Sequence, residues 1–425
     1  MSTMNLSGPL APLSVRDFRY LLTGFAIGQM LMPLQFITQI LWVQHYAPRD
    51  IWLILVALIA TCRGLGALLF GLYGGALADR FDRRQLLLVI LALQIVGTAL
   101  IAALMWQSGG GTLGFVLFFL LTFLTAGLQA VDGAARLAIV PDVLGPTLTP
   151  AGMSLNQLAA QIAMPVAMAM TGIIIDVFGF AGAYLASAAG YVVAMIFLAL
   201  INYRASADQH MAATGRFGLL DVLVDVREGL VYAWHHKVVF WVIALMVLMM
   251  GLGYPATASL GPTWVTTVVG VEISRMGFVV MFWGIGSFIG ALVLTQLSSS
   301  PHRGVMLGAG AIMFAVSFNI FVGAPTELNA IIGNLGLGAG MALAMTSSTI
   351  LIQHLVPNEV RGRIMSIFQM NFAFAQLMTM PVAVAAQWLT LEVLFPWLSL
   401  ATLVVVVMIL AGRPQLWRAR IELNR

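Results

Sequence analysis

Gly75-Ala76-Leu77-Ala78-Asp79-Arg80-Phe81-Asp82-Arg83-Arg84 separates two apolar runs, 51–74 and 85–106, each long enough to cross a bilayer. A spanning helix needs about 20 apolar residues at about 1.5 Å of rise each. The stretch therefore reads as a short loop between two membrane helices, held at the water boundary by Asp79, Asp82 and three arginines. The whole chain has the composition such a reading requires. Of its 425 residues, 61% are hydrophobic and 8% charged, against roughly 25% charged in a soluble protein.

Runs of similar length recur on both sides of the loop. They predict spans near 19–44, 51–74, 85–106, 112–133, 152–175 and 180–202, then near 238–262, 276–297, 304–323, 327–354, 364–389 and 393–411. The fold class that follows is an all-α polytopic membrane protein with twelve transmembrane helices. With both termini inside, all but three of the Lys and Arg residues fall in segments on one side; Arg49 and Arg275 lie in opposite loops and Arg63 within a span. The excess of basic residues in loops on the inner side makes that side cytoplasmic. Every tryptophan except Trp283 lies near a predicted span end, where amphipathic rings sit at headgroup level. Arg16 and Arg19 flank a first span too long for a signal-peptide core. Cys62 is the single cysteine, so no intrachain disulfide forms. The net charge of +4 comes from this loop asymmetry and is no nucleic-acid footprint.

The chain also repeats itself. Val140-Pro141-Asp142-Val143 after span four matches Val356-Pro357-Asn358-Glu359-Val360 after span ten, and Met153-Ser154 and Met365-Ser366 open the next span in each half. The expected organisation is a six-helix half over 1–202, a cytoplasmic linker over 203–237, and a second six-helix half with a tail over 238–425. Within the linker, Leu220, Leu223, Val224, Leu230, Val231 and Trp234 share one helical face, while Asp221, Asp225 and Glu228 share another. That pattern predicts an amphipathic helix on the inner membrane surface.

The 75–84 loop resembles the signature loop of major facilitator superfamily transporters. Arg16-Asp17-Phe18-Arg19, Asp132-Gly133-Ala134-Ala135-Arg136 and Arg361-Gly362-Arg363-Ile364-Met365-Ser366 are similar to segments of its drug-exporter branch, the transmembrane secretion effectors. The resemblance covers essentially the whole chain. It implies the major facilitator fold of two six-helix pseudo-repeats, alternating access, and a substrate site near the midplane between halves. It further implies a monomeric antiporter of a bacterial inner membrane, with a small molecule and the lipid bilayer as partners and no cofactor or metal. By the same resemblance Asp79 contacts Arg136 and the helix start near Ile364, an inner-side latch to which Gly75, Arg80, Arg83, Arg84, Asp132, Arg361 and Arg363 contribute.

Two departures weigh against proton antiport. The Gly-Pro-x-x-Gly-Gly pattern of antiporters is reduced to Pro165 in Met164-Pro165-Val166-Ala167-Met168-Ala169, and no carboxylate falls near the middle of any predicted span. Proton relays through a membrane run on titratable groups held there.

For a substrate site, Arg63 stands out as the one charge deep in a predicted span. An Arg at a helix centre costs about 2.5–3.5 kcal/mol on insertion scales. Two readings answer that cost: a cation lining a watery cavity for an anionic substrate, or a structural Arg bonded to Gln side chains and helix carbonyls. Gly28, Met32, Gln35 and Gln39 form one stripe of span one; Thr346, Thr349 and Gln353 form another on span ten, and Gln369 and Gln376 stand on span eleven. These residues are either a polar substrate wall or interhelical glue of about 0.6 kcal/mol each. Trp283 either stacks on a ligand or packs in the core. His235-His236 has no further ligands at metal-binding spacing, and there is no nucleotide loop or nucleophile triad, so an enzyme is not expected. The leading function is export of a small amphipathic or anionic compound such as a drug, siderophore or metabolite. A lipid or lysophospholipid flippase and a non-transporting receptor are the alternatives.

Overall fold

The computed structural model describes residues 8–107, 111–202, 219–297 and 300–419, without the side chains of 9, 72–76, 78–80, 219–226, 358 and 359. Among the described residues ten helices are long and apolar enough to cross a membrane. One of them, Gly111–Ala199, is interrupted where Gly145 and Gly179 take φ near +69° and +68°. Glycine adopts this left-handed backbone without a Cβ clash, and Pro146 follows the first of the two. The helix thereby divides into 111–144, 146–178 and 180–199, giving twelve spans in all.

Two predicted loops are helix instead. The second span runs from Trp52 through Arg80, and only Phe81 and Asp82 separate it from the third. Asp82 caps that next helix by accepting a hydrogen bond from the Gln85 amide at 2.8 Å, the usual service of an Asp at an N-cap. The fourth span likewise runs past its predicted end at 133 as far as the break at Gly145. Ala134, Ala135, Arg136, Leu137 and Ala138 are strong helix formers, and the chain has no reason to turn until Gly145. Charge marks the water boundary less sharply than it was read to do.

By packing, the chain divides into two units. The first comprises Met1–Ala47 and Leu65–Arg216, the second Pro48–Gly64 and Phe217–Arg425. In the first, Phe18, Leu21, Leu87, Leu91, Ile139, Val140 and Leu198 form one buried apolar cluster. It surrounds the part of the fourth span beyond residue 133, which is why that part is helical and buried.

In the second unit the tenth span, Glu327–Leu355, is wedged between the eighth and ninth by its glycines. A Cβ on Gly338 would overlap the Trp283 carbonyl oxygen, and one on Gly340 would stand 2.5 Å from the Phe314 amide. Small residues let membrane helices approach this closely. Gly338→Ala is therefore expected to destabilise the protein by about 1–3 kcal/mol through overpacking, whereas Gly362→Ala, with open space around it, should cost nothing. Thermal unfolding of the two detergent-solubilised variants checks this; equal melting temperatures would contradict it.

The tryptophans divide by environment. Trp106, Trp234, Trp388 and Trp397 are strongly exposed, while Trp42 and Trp264 are fully buried. Trp42 packs 4.7 Å from the Phe118 ring, and Trp264 stacks 5.2 Å from Phe395. Position near a span end does not by itself place a ring in lipid.

Candidate functional site

Four spans of the first unit converge on a polar chamber of about 110 Å³. The first span brings Phe25, Gly28, Gln29 and Met32, the third Leu91 and Gln94, the fourth Gln129, Asp132, Gly133 and Arg136, and the sixth Tyr191. Asp132 Oδ2 accepts the Arg136 Nε–H at 2.6 Å. Arg136 is only 5% exposed, whereas the Asp132 side chain keeps 21% of its surface, and its Oδ1 has no partner among the described residues. Gln129 Nε2 donates to Gln35 Oε1 and to the Tyr191 hydroxyl, both at 3.1 Å. Gln94 Nε2 donates to the Thr125 carbonyl at 3.1 Å.

The chamber bears on two sequence readings. Arg136 and Arg303 are as deeply buried in the protein as Arg63. The span that holds Asp132 also continues about 18 Å beyond it, at about 1.5 Å per residue to the break at Gly145. Asp132 thus stands within a helix and not at its end.

The stripe on span one is divided. Its lower members, Gly28 and Met32, line the chamber. Gln35 and Gln39 are buried, donating to Thr98 Oγ1 at 3.3 Å and to Thr122 Oγ1 at 2.9 Å. Gln39 makes one interhelical bond and leaves its Oε1 without a partner among the described residues; as glue, Gln39→Leu should cost about 0.6–1.7 kcal/mol in unfolding free energy while sparing transport. Loss of transport at unchanged stability would instead make Gln39 part of a substrate wall.

In the second unit Arg63 is 5% exposed and lies within electrostatic reach of the Tyr254 phenol. Beside it, Gly64 admits the eleventh span closely: a Cβ there would stand 3.0 Å from Gln376 Cβ and 3.1 Å from the Ala373 carbonyl oxygen. Tyr254 in turn meets Phe372 edge-on, with ring centroids 5.1 Å apart. Along this stretch Asn371 Oδ1 and Nδ2, Gln376 Oε1 and Thr379 Oγ1 are buried without a partner among the described residues. Orphaned buried polar atoms cost about 1–3 kcal/mol each, and four of them gather between Asn371 and Thr379.

The other expected residues scatter. Trp283 is buried, with its carbonyl against Gly338, while Thr346, Gln353 and Gln369 are exposed. Arg83 Nη1 donates to Asp142 Oδ2 at 2.7 Å and to the Ala138 carbonyl at 2.8 Å. Arg84 Nη2 donates to the Ala199 carbonyl at 2.7 Å. Arg361 closes on the Val356 carbonyl at 3.0 Å, and Arg363 pairs with Glu228. The side chains of Gly75, Asp79 and Arg80, and with them the expected latch, lie outside the described residues.

Sequence reasoning passed over Gln94, Gln129, Tyr191, Tyr254, Asn371 and Thr379. A signal was available for one set, since Gln129, Asp132 and Arg136 are spaced three and four apart and share a helical face. Tyr191 and Tyr254 offered only their mid-span position.

The fold and this polar interior define a multi-pass membrane transporter. The family model described as Major Facilitator Superfamily matches residues 25–380, and the chain belongs to that superfamily. It is 22% identical over 331 residues to the Staphyloferrin A transporter of Staphylococcus aureus (strain NCTC 8325 / PS 47), covering 78% of this chain and 80% of the relative. Among solved structures, the nucleoside transporter NupG matches with a TM-score of 0.72 at 12% identity, covering 95% of this chain and 99% of that one. A bacterial homologue of the iron transporter ferroportin, in an inward-facing state, matches with a TM-score of 0.72 at 13% identity, covering 93% and 98%. The chain therefore has the all-α major facilitator fold, and the resemblance read from its motifs holds.

Proposed function

We propose that this transporter exports a small anionic or amphipathic compound from a bacterial cell by alternating access, with both termini on the cytoplasmic side. The observation that carries this reading is the burial of Arg63 beside Tyr254 and a row of unpartnered polar atoms on the eleventh span. A buried guanidinium keeps a planar fork of donors, and that fork suits an anionic group on the cargo. The relative that transports staphyloferrin A supports such a cargo and makes that compound the first to test. Basic loops on one side support the orientation.

Proton coupling is assigned to Asp132, the carboxylate that lines the chamber of the first unit. Gln35, Gln129 and Tyr191 hold the chamber wall, and Arg136 holds the carboxylate in place. The test uses inverted and right-side-out vesicles from cells with and without the protein. Accumulation of the compound in inverted vesicles alone, abolished by collapsing the proton gradient, is expected. Uptake in right-side-out vesicles would reverse the direction, and indifference to the gradient with dependence on another ion would remove the proton.

A further inference from the structure

Away from the transport site, a second cleft of about 450 Å³ lies in the second unit. Trp234, Lys237, Phe240 and Trp241 form one wall, at the end of the linker helix Leu219–His235 and the start of the seventh span. Arg413 and Gln415, just beyond the twelfth span, form the other. Both charges on its lining are positive, and both Lys237 and Arg413 are exposed. Arg413 stands over the Trp241 ring at 4.4 Å, which fixes the guanidinium at the rim. Trp234 and Trp241 each meet Phe240 edge-on, at 5.2 and 5.3 Å.

The cleft opens where one membrane-length helix, Lys237–Ser259, begins and another, Leu391–Gly412, ends. It is therefore at headgroup depth, where tryptophans and cations gather. Above it the same two helices expose Leu248, Val404, Val407 and Met408, an apolar surface suited to acyl chains. The linker helix continues the pattern. Ala233 is buried and Gly229 packs against Ile367 of the eleventh span, while Leu230, Val231 and Trp234 are left exposed.

We infer that this cleft binds the headgroup of an anionic phospholipid, with Lys237 and Arg413 on the phosphate and the tryptophans at the glycerol level. A bilayer lipid satisfies both halves of the site at once, the cationic rim and the apolar faces above it; a soluble anion satisfies only the first. The bound lipid joins the linker helix to the ends of spans seven and twelve. The inference is independent of the cargo and direction proposed above, because neither residue lines the chamber or the Arg63 cluster.

The test measures lipid retained by the purified full-length protein, by native mass spectrometry after titration with phosphatidylglycerol or phosphatidylcholine. Each basic residue near an anionic lipid contributes about a factor of five in affinity. Lys237→Gln with Arg413→Gln should therefore weaken phosphatidylglycerol binding roughly 25-fold, at an unchanged melting temperature, with phosphatidylcholine weak throughout. Equal retention of the two lipids by the unmodified protein would overturn the assignment. So would full phosphatidylglycerol binding by the double variant, or displacement of the lipid by millimolar inorganic phosphate. Should the double variant melt early, Lys237→Arg with Arg413→Lys keeps the charges and is expected to retain the lipid; failure to do so also overturns it.

Discussion

Arg63→Gln is expected to insert and fold as the unmodified protein does, and to lose transport of the anionic compound by roughly ten- to a hundredfold. The magnitude follows from a hydrogen bond to a charged group, about 1.5–3 kcal/mol. Folding should survive because the substitution removes a charge from the interior, and burying that charge costs about 2.5–3.5 kcal/mol. Gln also keeps a donor for neighbours such as Tyr254. Arg63→Lys should fall between the two, since an ammonium keeps the charge but not the planar fork. Transport into proteoliposomes, read beside a melting curve for each variant, separates the two readings of this residue. Unchanged transport with a lowered melting temperature would make Arg63 a structural cation and leave the anionic cargo without its anchor.

The order and number of spans were legible because each is a membrane-length apolar run, and water-free lipid allows such a run only a helix. What the residues did not disclose was where the helices end. Gly75 to Arg80 and Ala134 to Leu144 were read as polar connections, yet both continue the helix before them. Charge was taken as a sign of solvent, although an Asp and an Arg one turn apart can satisfy one another within a span. The site suffered from the same cause. Arg63 was legible because nothing near it in sequence is charged. Asp132 and Arg136 were visible but assigned to the inner-side latch, and Gln129 was missed with them. The orphaned atoms of Asn371, Gln376 and Thr379 could not be read at all, because an unsatisfied hydrogen bond is a property of packing and not of residue type.

Asp132→Asn is expected to abolish gradient-driven accumulation while leaving exchange of the compound across the membrane at equilibrium. Asn reproduces the carboxylate's shape and still accepts the Arg136 Nε–H, now at 2.6 Å, but it cannot take up a proton. One coupled proton and a gradient of one pH unit supply about 1.4 kcal/mol, a tenfold accumulation. The variant should show none. The sign of the coupling follows from the charge of the chamber. Ionised Asp132 and Arg136 cancel, and protonation leaves a net positive charge. A cargo hydroxyl or ammonium that donates to Asp132 Oδ1, which has no partner among the described residues, must compete with the proton, and that competition is antiport. An anionic group in the same place would prefer the protonated chamber and would travel with the proton. Export by antiport therefore requires that affinity rise with pH in the unmodified protein and stay flat in Asp132→Asn. Removing one partner of a buried ion pair can itself cost about 3–5 kcal/mol. Asp132→Glu, which stays titratable, is accordingly measured alongside and should keep the pH dependence. Gradient-driven accumulation that persists in Asp132→Asn would take the proton away from this residue, and affinity that falls with pH would turn the antiporter into a symporter.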